Sequence, residues 1–304
     1  MTNLIATRTG RTLEVKEYGD PRGEPVCFFH GLIGSHHQAA YVGEQARQYG
    51  LRIIAPNRPG VGRSPFVERQ SALEAVPDVE DLAAALGFHE FSVIGISGGA
   101  AYALACLHLI PSRIRTTTII SGMGPTRLPG ALQGMDRTRR VALELGSRYP
   151  RLAKQVARRW GERFRDAPRA FLQRLVSTWA PADQVLFQRS DVFDLFLNDL
   201  TQVFVDGAGP ETFAQDLRLY RNYGFSPAQL PSNHHVTLWH GLHDIIVPAS
   251  MAWRMARILP RCEAHLVPGG HFVAVSISAQ IMARLHQLLD DSSVDAHILK
   301  SDLN

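Results

Sequence analysis

The residues Gly95-Ile96-Ser97-Gly98-Gly99 stand between a β-type run, Phe91-Ser92-Val93-Ile94, and a helix-type run, Ala100-Ala101-Tyr102-Ala103-Leu104-Ala105. Small residues two before and two after the serine let the backbone turn sharply from strand to helix, lifting the Ser97 hydroxyl above a sheet. Taken alone the pattern is weak, because glycine and serine are common in any strand-to-helix turn. It becomes informative if later strands deliver an acid and a histidine, since a serine nucleophile needs a base and the base needs an orienting carboxylate.

The chain supplies both in the order serine, acid, histidine. Val236-Thr237-Leu238-Trp239 is strand-like and runs into His240-Gly241-Leu242-His243-Asp244-Ile245-Ile246-Val247-Pro248, placing Asp244 in the loop that leaves it. Ala264-His265-Leu266-Val267 is closed by Pro268-Gly269-Gly270-His271-Phe272, so His271 sits in a Gly-rich loop before the last helix. Of thirteen histidines, most are expected to be solvated or structurally satisfied. His30 precedes the serine by a whole strand-helix-strand unit and suits an anchor for its own loop, while His240 and His243 share the loop of the acid. The candidate catalytic residues are therefore Ser97, Asp244 and His271. A tetrahedral intermediate also needs N–H donors for its oxyanion. These are expected at Gly98, directly after the nucleophile, and at Leu32, in the loop after Phe28-Phe29.

With 304 residues and 45% hydrophobic content, the chain can bury a full core. Short apolar runs alternating with helical segments predict an α/β fold with a mainly parallel sheet. Strands are expected as a hairpin within residues 4–18 and then at 26–29, 52–55, 91–95, 116–121, 236–240 and 263–267. Residues 1–124 and 234–290 form the expected core domain, 125–233 an all-helical insertion, and 291–304 a flexible tail. The insertion is too long for a plain connection and suits a cap over the active site. Leu152, Val156, Trp160 and Phe164 recur every four residues, and Phe193, Leu197, Leu200 and Phe204 nearly so, giving apolar stripes that must be buried. Packing between cap and core and lining of a substrate pocket weigh equally for any one of them; Trp160, Phe164, Phe193 and Phe204 are the candidate substrate-binding residues.

Charge in the insertion is segregated. Residues 127–174 carry thirteen Lys and Arg against four Asp and Glu, whereas residues 183–216 carry seven acidic residues and Arg189 alone. Whole-chain charge is only +4. A solvated face contacting the acidic half outweighs a funnel for anionic substrates or a membrane-surface helix, and nucleic acid is disfavoured because no binding motif accompanies the arginines. Cys27, Cys106 and Cys262 are scattered and suit small buried hydrophobes, not a disulfide framework. No metal-ligand spacing and no phosphate-cradling loop with a lysine is present, so no cofactor or metal is expected. The N-terminus lacks a basic region followed by an apolar stretch, and no 18-residue apolar run occurs. The expectation is a cytoplasmic protein without a membrane span, acting on a small-molecule substrate.

Six stretches in order resemble the α/β-hydrolases of the esterase-like group over nearly the whole chain. They are His30-Gly31-Leu32-Ile33-Gly34-Ser35; Asn57-Arg58-Pro59-Gly60-Val61-Gly62-Arg63-Ser64; the turn at Ser97; Ala103-Leu104-Ala105 with Ile110-Pro111-Ser112-Arg113-Ile114; His240-Gly241 to Pro248; and Gly270-His271-Phe272. The resemblance implies the α/β-hydrolase fold with a helical cap and a serine hydrolase acting through an acyl-enzyme. A carboxylic ester of a small, largely apolar substrate is the first expectation. Lactones, thioesters and activated C–C bonds use the same apparatus; a cofactor-independent oxygenase or perhydrolase and a non-catalytic receptor are the other classes on this fold.

Departures from the family pattern matter too. Relatives usually carry Asp at Asn57, an acid that is normally structural. Gly98 is small for the position after the nucleophile, which implies a roomier acyl pocket. Ser97 argues against the family's epoxide and haloalkane hydrolases, whose nucleophile is Asp. Leu32-Ile33-Gly34 does not match the Gly-Gly-Pro-Gly loop of its proline-releasing peptidases.

Overall fold

The computed structural model describes residues 2–8 and 10–301, with the side chains of the last helix only as far as Asp291. Eight strands, β1 (Thr2–Ala6), β2 (Thr12–Gly19), β3 (Glu24–Phe29), β4 (Leu51–Pro56), β5 (Phe91–Ile96), β6 (Ile114–Ile120), β7 (Val236–Gly241) and β8 (Cys262–Val267), form one sheet. Its order is β1-β2-β4-β3-β5-β6-β7-β8, antiparallel at β1/β2 and β2/β4 and parallel elsewhere. Side-chain alternation divides the core between the two faces. Cys27 and Phe29 point toward α2 (Val76–Ala85), α3 (Ala100–Leu109) and α10 (Ala249–Ile258). Val26 and Phe28 point toward α1 (Ala40–Gln48), α11 (Val273–Ser276) and α12 (Ser278–Ser301). Covering both faces explains why β5 is buried at every position and why its sequence is a near-continuous apolar run.

After β3 the chain moves to β4 on one side; from β5 it moves through β6 and β7 to β8 on the other. The loops leaving β3 and β5 therefore diverge, opening a crevice at the carboxyl ends of the strands, where ligands bind in open α/β sheets. Loop 30–35 and Ser97 lie on either side of it.

Six helices separate β6 from β7: α4 (Arg137–Arg148), α5 (Pro150–Asp166), α6 (Pro168–Val176), α7 (Pro181–Leu186), α8 (Ser190–Phe204) and α9 (Gly209–Arg221). The stripe expected on α5 is rotated by one residue. Leu152 and Val156 are 43% and 38% exposed, and the buried face is Ala153, Ala157, Gly161 and Phe164. The reason is close approach between helices: Ala153 packs with Ala214 and Leu217 of α9, and a Cβ on Gly146 or Gly161 would press on Leu217 or Phe204. Small residues, not the largest aliphatics, mark this contact.

The basic and acidic runs meet at Arg169–Asp194, 2.8 Å, while Arg139 and Arg140 pair with Asp136 and Glu144 inside the basic run. The three cysteines are free, Cys27 and Cys106 fully buried. No helix among the described residues is long and apolar enough to cross a membrane. Where a flexible tail is expected from residue 291, the backbone continues helically to Ser301; residues 302–304 lie outside the described residues.

Candidate active site

β5 delivers Ser97 into a backbone conformation with φ +52°. A non-glycine residue in the left-handed region is strained and persists only where the surroundings over-determine it. Here the strand ends, a short 3-10 turn at Ser97–Gly99 leads into α3, and the Ser97 carbonyl accepts the Met123 N–H at 2.9 Å. The glycines around the serine are required by packing: a Cβ on Gly95 would press on Gly99 and Ala100, and one on Gly99 would collide with the Phe29 carbonyl.

His271 Nε2 lies 3.0 Å from Ser97 Oγ, and His271 Nδ1 lies 2.7 Å from Asp244 Oδ2. A carboxylate accepts only, so the proton sits on Nδ1 and the lone pair of Nε2 faces the hydroxyl. Asp244 is fixed by its own loop, Oδ1 accepting the N–H groups of Ile246 (2.8 Å) and Val247 (2.9 Å). Burial pushes the His271 imidazolium down, but the charge and hydrogen bond of Asp244 outweigh it and hold the group above 6.5. His240 also stands near Asp244 Oδ2, at 3.4 Å. Its Nε2–H is spent on the Val247 carbonyl at 2.9 Å, and burial keeps it neutral.

The expected oxyanion loop flanks the serine. A Cβ on Gly31 would stand 3.0 Å from Ser97 Cβ, and Ile33, two residues on, turns with φ +54°. Leu32 between them packs against Ala153, Ala214 and Leu217 of the insertion. The loop is held from below by Arg58, which donates to the carbonyls of His30 and Gly31 and to Asp216 Oδ2 of α9 at 2.7 Å. His30 is the loop anchor: its Nε2 accepts the Arg58 N–H at 3.2 Å, and burial, with Arg58 beside it, lowers its pKa well below 6.5.

Asn57 fits its place as an amide. Its oxygen accepts the His36 N–H at 2.7 Å, and its nitrogen donates to Glu14 (2.9 Å) and Gln202 (3.1 Å). An aspartate could not donate to the Glu14 carboxylate.

The space left by the missing side chain of Gly98, expected to give a roomier acyl pocket, is already filled. The Tyr220 hydroxyl of α9 occupies the space that a Cβ on Gly98 would take. Asp216, one turn earlier, is clasped by Arg58 and by Tyr102 Oη at 2.8 Å, which fixes the helix face that brings Tyr220 in.

Phe164, Phe193 and Phe204, three of the four candidate aromatics of the insertion, belong to one buried cluster that also includes Tyr41, Val61 and Phe272 of the rest of the chain. Phe164 and Phe204 are buried with ring centroids 6.0 Å apart, each meeting Phe171 edge-on. Trp160 meets Phe171 and Phe213 and lines a groove of about 490 Å³ with Arg163, Asp166 and Arg174. Phe193 lies under the Arg169 guanidinium at 5.0 Å and lines a second groove made wholly of residues 169–193. These surroundings are packing contacts, within the insertion and against the sheet domain beneath it.

Two residues that touch His271 escape sequence reasoning. Asp183 of α7 accepts the backbone N–H groups of His271 (2.9 Å) and Phe272 (3.0 Å). Ser121, with φ +47°, donates its hydroxyl to the His271 carbonyl at 2.7 Å. Nothing in the local sequence of either points to a histidine so far along the chain.

A profile for the alpha/beta hydrolase fold matches residues 24–276. The proline iminopeptidase of Xylella fastidiosa (strain 9a5c) is 26% identical over 326 aligned positions, covering 92% of this chain and 94% of its own. Among solved structures, an esterase from Exiguobacterium antarcticum superposes with a TM-score of 0.70 at 17% identity, covering 95% of this chain and 100% of its own. A bromoperoxidase from Bacillus anthracis superposes equally, TM-score 0.70 at 16% identity, with the same coverage. The profile spans most of the chain, including the turn at Ser97 and the loops of Asp244 and His271, so the protein belongs to the α/β-hydrolase fold family and is a hydrolase.

Proposed function

We propose that the protein is a serine hydrolase that cleaves a carboxylic ester, or a related lactone or thioester, of a small and largely apolar substrate. The observation that carries this reading is the continuous relay from Ser97 Oγ through His271 to Asp244, at 3.0 and 2.7 Å. As Ser97 Oγ attacks the carbonyl carbon, His271 Nε2 takes its proton, while Asp244 fixes the tautomer and stabilises the imidazolium. The tetrahedral oxyanion is held by the amides of Gly98 and Leu32, each such donor contributing about 3 kcal/mol in a water-poor site. His271 returns the proton to the leaving group. Water, deprotonated by the same Nε2, then releases the acyl group. The insertion serves as the cap over this site, between a core of residues 1–124 and 234–290, and a cytoplasmic location fits the chain.

Relatives named proline iminopeptidase give a second reading, release of an N-terminal proline by the same apparatus on an amide. The deciding experiment is a panel of esters, lactones and thioesters of graded acyl length together with a prolyl arylamide, run beside labelling of the protein with a fluorophosphonate. Ester turnover above amide turnover, with the label on Ser97, is expected. Preference for the prolyl amide would move the assignment to the peptidase. Ser97→Ala should lower kcat by about 10⁴-fold or more with the fold intact, and esterase activity retained by a clean Ser97→Ala preparation would remove the serine mechanism altogether.

A further inference from the structure

Trp179, Asp183 and Phe187 recur every four residues along and around α7, and all three grip the two residues His271-Phe272. The Phe272 ring stacks on Trp179, centroids 4.8 Å apart, and meets the edge of Phe187 at 4.7 Å. Between them both Asp183 oxygens are used: Oδ2 accepts the His271 N–H and Oδ1 the Phe272 N–H. Gly270 makes the approach possible, because a Cβ there would collide with the carboxylate. Asp183 is 1% exposed. From the other side Ser121 holds the His271 carbonyl.

The His271 backbone is thus fixed at its nitrogen by the insertion and at its carbonyl by the end of β6. We propose that Asp183 is a positioning residue for His271, so that a correctly seated insertion is part of the catalytic apparatus and not only a cover for it. This rests on the serine-hydrolase reading above. The loop of His271 meets these two amides with no acceptor of its own, and buried N–H groups left without a partner are disfavoured. Without Asp183 the loop would shift to reach another acceptor, and Nε2 would move with it; displacement of a reacting group by about 1 Å costs on the order of 10²-fold in rate. Asp183 also adds negative charge beside the imidazole. The titratable groups facing His271 are Asp244, Asp183 and the neutral His240.

A mere fastener between insertion and core would affect stability and leave the chemistry alone, which sets the test. In the full-length protein, Asp183→Ala is expected to lower kcat about 10- to 100-fold with little change in KM. Asp183→Asn, which keeps one acceptor oxygen, should fall between that variant and wild type. Both should move the acid limb of kcat/KM to lower pH, because loss of the anion disfavours the imidazolium. The same downward shift should be seen in the His271 imidazole resonances by NMR, a readout that needs no turnover. The proposal is overturned if Asp183→Asn keeps both the wild-type kcat and the wild-type His271 titration, whatever its melting temperature. Asp183→Asn serves alone should the alanine variant fail to fold. Failure of the parent reading looks different: the wild type would go unlabelled by fluorophosphonate and Ser97→Ala would remain active.

Discussion

Asp244 and Asp183 hold opposite ends of one residue. Asp244, at the edge of the sheet, meets the His271 ring and is itself fixed by amides two and three residues on. Asp183, in the insertion, meets the His271 backbone across 88 residues of sequence. The first arrangement is almost self-contained, since a strand end and an Asx turn suffice to aim the carboxylate. The second exists only when α7 is packed on the loop after β8. A contact made at a strand end is locally encoded; one made from the insertion depends on how two regions dock.

The sharpest probe of the sheet side is Asp244→Asn. The amide keeps the shape but favours the wrong imidazole tautomer, and kcat should fall by up to about 10⁴-fold. Near-wild-type turnover would mean that another carboxylate serves His271. A companion measurement is the pH profile of kcat/KM. His271 acts as base only when neutral, and its pKa is held above 6.5, so activity should rise through a group above that value. A profile flat from pH 5 to 8, with chemistry rate-limiting, would count against it.

On the insertion side the expected effects are on stability. Phe164 is 1% exposed among Phe171 and Phe204, and Phe164→Ala should cost about 3–5 kcal/mol in denaturant unfolding. Its profile of activity against acyl chain length should stay unchanged. Trp160→Ala and Phe193→Ala, at less enclosed positions, should cost less and likewise spare the profile. A shifted length optimum in either would bring that side chain back to the substrate.

A further effect concerns the seam between the regions. Asp199 of α8 accepts the Ser35 N–H (2.8 Å) and hydroxyl (2.6 Å) at the end of the loop after β3, and burial raises its pKa from 3.8 to about 8. The folded state then keeps a proton that the unfolded chain has released between those values. The unfolded state binds fewer protons there, so stability falls as pH rises across that window. Asp199→Asn should flatten this part of the dependence in thermal melts at pH 5 and 8. An unchanged slope would show Asp199 to be ionised in the folded protein.

Strand order apart, much of the sheet was legible because a strand buried on both faces needs an apolar run, and each run here is short and bounded by turn residues. Ser97, Asp244 and His271 were legible because each sits within a few residues of a strand end, where glycines and Asx turns leave a local trace. The helical character of residues between β6 and β7 was legible as well. The face that each of those helices buries was not. On α5 the large aliphatics Leu152 and Val156 point outward and Ala153, Ala157 and Gly161 inward, because the neighbours α8 and α9 come so close that only small residues fit. Gly98 shows the same limit: a missing side chain suggests space, yet Tyr220 arrives from 122 positions away to fill it. Periodicity records that a helix has an apolar side; which residues meet a partner, and how closely, is a property of the pair of surfaces. The sequence by itself determined the fold class, the turn at Ser97 and the loops that carry Asp244 and His271. Only the tertiary structure decided the grip of Asp183 and Ser121 on His271, the Arg58–Asp216 clasp under the loop after β3, and the filling of the turn at Ser97 by Tyr220. Each of these joins groups far apart in the chain, through contacts that leave no pattern in the residues nearby.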